Sequence, residues 1–187
     1  QLFGCVRVVY NDYLGIKQEE WQKNRELPKD QRKFMPDGEV AKTVTTFAKQ
    51  TEERGWLSDV SAVPLQQVVR DARSAYKNFF DSLTGKRKGP RVGAPRFKSK
   101  RGKSSARFVG TSFKVRQTTH GVGKVYLAKI GWVRFVLSRE LPSEPTSVTI
   151  THKPDGTYEV SFVVEAEPEI VEPVNPDRIA GVDLGLT

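Results

Sequence analysis

The hydrophobic period of this chain changes partway along it, and an eighteen-residue segment without a single acidic residue separates the two regimes. Before Lys86 the apolar residues recur every three or four positions, the spacing of helix faces. After Lys103 they recur every two, the spacing of strands. A chain patterned in this way is confined to a helical block followed by antiparallel sheet, an α+β arrangement.

In the first regime, Leu2, Phe3, Val6, Tyr10, Tyr13 and Leu14 mark one face of a first helix. The pattern is already under way at Gln1, as expected of a sequence that continues a longer one. Pro28 and the turn Met35-Pro36-Asp37-Gly38 interrupt it. A second helix is predicted over 39–54, with Val40, Val44, Phe47 and Thr51 on its packed side and Gly55 at its end. The third is the clearest. Ser61 is its N-cap, Pro64 is tolerated in the first turn, and Gly85 closes it. Leu65, Val68, Ala72, Ala75, Phe79 and Leu83 form its apolar stripe. Tyr76, Phe79 and Phe80 are predicted to pack inward, as are Trp21, Trp56, Trp132 and Phe135.

In the second regime, strands are predicted over 107–115, 124–129 and 132–137. Val148, Ile150 and His152 then alternate with threonines, Lys153-Pro154-Asp155-Gly156 makes a turn, and Tyr158, Val160, Phe162 and Val164 resume the alternation. That is a β-hairpin, with His152 half-buried on its apolar side. Five short strands predict a small antiparallel barrel or curled sheet. An acidic, proline-bearing linker comes next over 165–176 and leads into a last short strand.

Charge says more about partners. The chain holds 31 Lys and Arg against 22 Asp and Glu, a net of +9. The connector supplies all of that excess through Lys86, Arg87, Lys88, Arg91, Arg96, Lys98, Lys100, Arg101 and Lys103. Its density of charge and its stiffening Pro90 and Pro95 predict binding to a nucleic-acid backbone by phosphate neutralisation and counterion release. Phe97 can stack on a base, although anchoring the connector to the protein is its commoner role. On the third helix, Arg70, Arg73 and Lys77 lie off the apolar stripe with Gln66, whose amide can pair with base edges. The single cysteine, Cys5, excludes a disulfide framework, is expected as a buried thiol, and fits a reducing cytoplasmic or nuclear setting. No apolar stretch is long enough to span a membrane, and no secretory signal pattern is present.

One carboxylate stands out. Asp183 comes after a short Ile/Val stretch between Gly181 and Gly185, where it is well set to hold a divalent metal. The pattern fits the first metal-binding strand of RNase H-like nucleases, and equally the phosphate loop of actin- and hexokinase-like ATPases.

Five segments, in order, resemble one family, the transposon-encoded TnpB proteins, RNA-guided DNA nucleases related to type V CRISPR effectors. They are Gly4-Cys5-Val6-Arg7-Val8-Val9-Tyr10-Asn11; Trp56-Leu57-Ser58-Asp59-Val60 with Leu65-Gln66; Ala75-Tyr76-Lys77-Asn78-Phe79-Phe80; Gly93-Ala94-Pro95-Arg96-Phe97-Lys98; and Gly181-Val182-Asp183-Leu184-Gly185. The resemblance implies a helical recognition lobe over 1–104 that ends in the basic connector, then a wedge-type β-barrel lacking its first strand and a linker over 105–176. The start of a RuvC nuclease domain would lie at 177–187. It implies guide RNA and target DNA as partners, with no obligate protein partner, and prokaryotic cytoplasmic action on the nucleoid. Ser61, Ala62, Val63 and Gln66 on the helix, with Gly110 and Thr111, would face a short motif beside the target, and Arg107 joins the nucleic-acid-binding candidates. Asp183 would be a catalytic Mg²⁺ ligand. The other carboxylates of that site, and a zinc site, are expected further along such a protein. Rival readings are a miniature type V CRISPR effector, a nuclease-dead RNA-guided repressor, and an actin- or hexokinase-type ATPase with a basic module.

Overall fold

The computed structural model describes residues 1–117 and 121–166. His120, most of the expected linker, the final strand and Asp183 lie outside the described residues.

Helix α1 spans Leu2–Arg25. Its apolar face ends near Leu14, but the Lys-Gln-Glu-Glu run after it loses little side-chain freedom in a helix and carries it on toward Pro28. Cys5, Val9, Tyr13 and Leu14 are buried on its inner face, and burial pushes the Cys5 thiol up from its ordinary value. Asn24 then clamps the returning chain, accepting from Lys33 N–H at 2.7 Å and donating to the Lys33 carbonyl at 2.8 Å.

The second predicted helix is shorter and less regular than its sequence pattern suggests. Helix α2 covers Asp37–Lys42, a wider π turn takes over at Thr43–Phe47, and a tighter turn ends at Gln50. Thr43 and Thr45 donate hydroxyls back to the carbonyls of Glu39 and Ala41 at 3.0 and 2.6 Å, which competes with regular helix bonding. The extra residue in the π turn rotates the later side chains about the helix axis. Val44 stays buried, while Phe47, predicted to pack, is 53% exposed.

Helix α3, Ala62–Leu83, follows its prediction through its first half: Ser61 Oγ accepts from Val63 N–H at 3.4 Å, and Leu65, Val68 and Ala72 are buried, while Leu83 at the end of the predicted stripe is exposed. Past its end, Gly85 has φ of +71°. The three helices meet at Asp37. Tyr13 donates its hydroxyl to this carboxylate at 3.0 Å, with Lys17 at 3.1 Å and Arg73 at 3.2 Å. Burial alone would raise the Asp37 carboxyl. Hydrogen bonds from Lys17 and Tyr13, with the charges of Lys17 and Arg73, outweigh it and hold the group below the ordinary aspartate value.

Six strands complete the described chain: β1 Ser104–Val109, β2 Phe113–Gln117, β3 Val122–Leu127, β4 Gly131–Val136, β5 Ser147–His152 and β6 Tyr158–Val163. They form two antiparallel three-stranded sheets, ordered β1-β5-β6 and β2-β3-β4. The strand predicted over 107–115 is therefore two strands in different sheets. Gly110, at φ +58°, bends the chain between them, and the buried Ser112 Oγ clasps the bend by donating to the Val109 carbonyl at 2.7 Å and accepting its N–H at 3.1 Å. The predicted barrel does not close among the described residues, because its far edges never pair. β4 and β6 meet through side chains instead: the rings of Phe135 and Phe162 lie 5.2 Å apart, beside a cleft of about 400 Å³.

Register fixes the faces. Ala106 and Phe108 pair with Ile150 and Val148 on one side of the first sheet. Ser105 and Arg107 pair with Thr151 and Thr149 on the other, and that polar side meets α3, where Arg107 is ion-paired with Asp71. Phe113, Val125 and Leu127 line the buried side of the second sheet, and one apolar cluster runs from α1 and α3 into both. The half-buried His152 lies against Tyr158 and Phe3, with ring centroids at 4.7 and 5.8 Å. Four aromatics predicted to be core are exposed: Trp21, Trp56, Phe80 and Trp132. Each lies on a face that no other element covers fully, so a stripe position alone does not supply it with a partner.

Gly123 sits under the ring of Phe135, where an added Cβ would come within 2.2 Å of the ring. Gly123→Ala is predicted to displace Phe135 from Phe162 and destabilise the protein by about 1–3 kcal/mol, read as a Tm lowered by several degrees. Asp37 gives a second expectation. Its folded value is depressed, so its contribution to stability is complete above the ordinary aspartate range and lost as pH falls through the folded value. Thermal melts between pH 5 and pH 3 should show a Tm decline in the wild type that Asp37→Asn flattens.

Candidate nucleic-acid interface

Strand alternation determines the outward side of β2-β3-β4. Phe113, Val115, Val125 and Leu127 turn inward, so Lys114, Arg116, Lys124, Tyr126, Trp132 and Arg134 share the opposite face. Two cross-strand rows result. Arg116, Lys124 and Arg134 stand directly opposite one another, and Lys114, Tyr126 and Trp132 form the next row. The Arg116 guanidinium lies 4.8 Å from the Trp132 ring centroid, and Tyr126 meets Trp132 edge-on at 5.6 Å. Trp132 is nevertheless 45% exposed. Like charges placed opposite one another destabilise a sheet, and no acidic side chain belongs to either row to relieve them. A polyanion with flat rings complements such a face: phosphates answer the cation row and bases the aromatic one. Sequence reading missed these residues. Their signal was present as Lys114-x-Arg116, Lys124-x-Tyr126 and Trp132-x-Arg134, but a strand alternating apolar and polar residues reads first as an ordinary half-buried strand.

The connector between α3 and β1 has no helix or strand, and Lys86, Arg87, Lys88, Arg91, Arg96, Lys100, Arg101 and Lys103 are all exposed. It is pinned at two points. Ser82 Oγ accepts from Val92 N–H at 3.0 Å. Asn11 on α1 both accepts from Lys98 N–H at 2.8 Å and donates to its carbonyl at 3.0 Å. Phe97, expected as the anchor, is 54% exposed, and its neighbour Lys98 takes that role. The Lys98 side chain lies over the Tyr10 ring, 4.2 Å from its centroid. Burial pulls its ammonium below the ordinary lysine value, against the opposing charge of Asp71.

On α3, Gln66 and Arg70 are exposed, and Arg70 has no ion-pair partner among the described residues. Arg73 is engaged with Asp37, and Lys77 with Asp81 at 2.5 Å. At the bend, Gly110 and Thr111 are exposed. The structure brings Lys98 and Arg107 together in a cleft of about 170 Å³ between α3 and the first sheet. Among the described residues no group of three or more His, Cys, Asp or Glu could hold a metal ion, and no helix is long and apolar enough to cross a membrane.

A family model, HTH_OrfB_IS605, described as a helix-turn-helix domain, matches residues 1–26, which are α1 in this structure. The chain is 32% identical over 184 residues to "Putative RNA-guided DNA endonuclease InsQ" of Escherichia coli (strain K12), covering 98% of this chain and 40% of that protein. It is 34% identical over 195 residues to "Putative RNA-guided DNA endonuclease" of Streptomyces pristinaespiralis, covering 99% of this chain and 41% of that one. The chain thus spans about two fifths of the length of the curated relatives it matches.

Replacing Arg116, Lys124 and Arg134 together by glutamine is predicted to weaken nucleic-acid binding and flatten the log–log salt dependence by roughly 2–3 units, if each meets one phosphate. The same triple variant should melt no lower than the wild type, because it removes cross-strand repulsion. Fluorescence anisotropy across a salt series, with a thermal melt alongside, measures both. Unchanged binding with a lowered Tm would make the row structural.

Proposed function

We propose, because the chain is a TnpB relative along nearly its whole length, that it holds guide RNA and target DNA in an RNA-guided DNA endonuclease. The observation that carries this reading is the basic and aromatic face of β2-β3-β4. Single-stranded RNA is recognised through splayed bases stacked on aromatic and arginine planes beside neutralised phosphates, and Trp132, Tyr126 and Arg116 offer those groups on one rigid sheet. Guide RNA would lie against the strands, in a unit over 105–176. The helical block, 1–104, with its exposed connector would hold the target duplex. Gln66, with Ser61, Ala62 and Val63 at the start of α3, and Gly110 and Thr111 at the bend, would face a short motif beside the target. Specificity would come mainly from RNA–DNA pairing, with the protein reading helix shape and that motif.

Cleavage would belong to a RuvC-type unit beginning near residue 177. Asp183 would hold part of a Mg²⁺ site there, with carboxylates that are not among the described residues. The dication would supply the positive charge that stabilises the scissile phosphate. This chain's described residues would bind and orient the strands.

In the full-length protein, Asp183→Ala is expected to abolish Mg²⁺-dependent DNA cleavage while leaving guide-RNA and target-DNA affinity within a few-fold of wild type. Cleavage gels and binding isotherms on the same preparation separate these effects. Cleavage at the parental rate would overturn the nuclease assignment of Asp183, and lost RNA binding would make it a structural residue.

A further inference from the structure

The cleft between α3 and the first sheet is lined by polar groups as well as by Val6, Pro64 and Val68. Ser105, Arg107 and Thr149 on the strands face Gln67 and Asp71 on the helix across an open cleft of about 170 Å³, and Lys98 of the connector forms one wall. Three donor groups there make no hydrogen bond of their own within the protein among the described residues, and one of them is enclosed. The Gln67 side chain is only 6% exposed and has no hydrogen-bond partner among the described residues. Arg107 gives one N–H to Asp71, and its enclosed Nε has no partner. The Lys98 ammonium touches the Tyr10 ring but no carboxylate lies within ion-pair distance among the described residues.

One enclosed donor, Arg107 Nε, is left without an acceptor, while the Gln67 amide and the Lys98 ammonium reach solvent and can turn to a ligand, so the site suits an acceptor with several lone pairs and negative charge. Lys98 and Arg107 against Asp71 leave one net positive charge, which a singly charged phosphodiester balances. We propose that this cleft seats one phosphate group of a bound nucleic-acid strand, with Lys98, Arg107 and Gln67 as its donors. Asp71 holds Arg107 in orientation and keeps the site from trapping anions too tightly. The inference rests on the nucleic-acid-binding function proposed for the chain and deepens it, since it names a cleft site distinct from the sheet face and from the exposed cations of the connector.

The test monitors the Gln67 side-chain amide resonance by ¹⁵N NMR on the full chain, assigned by its absence in Gln67→Glu, with the Trp132 indole resonance as an independent reporter. Three probes are titrated: a phosphodiester oligonucleotide, the same sequence with a neutral methylphosphonate backbone, and inorganic phosphate. The phosphodiester strand should shift Gln67 saturably and the neutral strand should not. Inorganic phosphate should act only at far higher concentration, which assigns the site to a strand phosphate over a free one. Lys98→Met and Gln67→Glu should each weaken strand binding by roughly tenfold or more, the scale of hydrogen bonds to a charged group. Should the strand move Trp132 but leave Gln67 unmoved, the cleft is no phosphate site and the sheet-face reading stands. Should it move neither, the nucleic-acid reading falls with it. A Gln67 response to the neutral strand equal to that of the charged one, or saturation by free phosphate at strand-like concentrations, would overturn the assignment.

Discussion

A single left-handed residue governs the β half of this protein. Gly110 lets one continuous run of strand sequence turn from the first sheet into the second, and a Cβ there would oppose a φ of +58°. Everything downstream depends on that turn. It sets Phe108 and Phe113 into the same buried cluster from opposite sides of the bend. It also decides which alternating set of β2, β3 and β4 faces water, and hence that the outward set is basic and aromatic. A straight strand over 107–115 would leave one sheet with two mixed faces. The clasp by Ser112, which satisfies both backbone groups of Val109, removes the cost of breaking the ladder at that point.

Several of the basic side chains expected to meet nucleic acid are engaged within the protein. Arg73, Lys77 and Arg107 each hold a carboxylate, and in these pairs at least one partner is substantially exposed. Exposed pairs of this kind contribute little to stability, so a phosphate can compete for the cation without unfolding the helices. Asp37 differs from the other two acceptors, because Lys17 and Tyr13 would still satisfy it if Arg73 left. For Arg73 and Lys77, engagement inside the protein and contact with a strand would thus be successive uses of one side chain.

How much was legible in the sequence depended on whether the signal was local. Helix α3 was read closely in its extent and first half, because its cap, stripe and closing glycine all lie on one segment. The β5–β6 hairpin was legible for the same reason. The second helix was misjudged because hydroxyls bonding back to carbonyls widen it at Thr43–Phe47, and periodicity does not carry that competition. Gly110 was noticed only through resemblance, since a glycine inside an apolar run does not announce the sign of its φ. The connector was legible by charge density alone. The Arg116, Lys124 and Arg134 row was not, because its meaning lies in register between strands. Gln67 was hidden for a similar reason: it lines a cleft with Arg107, Thr149 and Lys98, which lie far from it in sequence.

These surfaces act at different ranges, and that gives them an order. The connector's cations are exposed and surrounded by salt, so their attraction fades beyond about 8–10 Å at physiological ionic strength. On the proposed reading they would gather a polyanion near the protein but hold it loosely, since ordering a segment without helix or strand costs conformational entropy. The Asn11 clamp on Lys98 divides that segment and fixes its middle against α1, so less freedom remains to be lost on binding. The sheet face and most of the α3 cleft are built on regular elements and would therefore orient what the connector attracts. Lys98 stands at the junction of the two regimes: its backbone is held by α1 and it lines the cleft, so a strand captured by the connector would end at a rigid site.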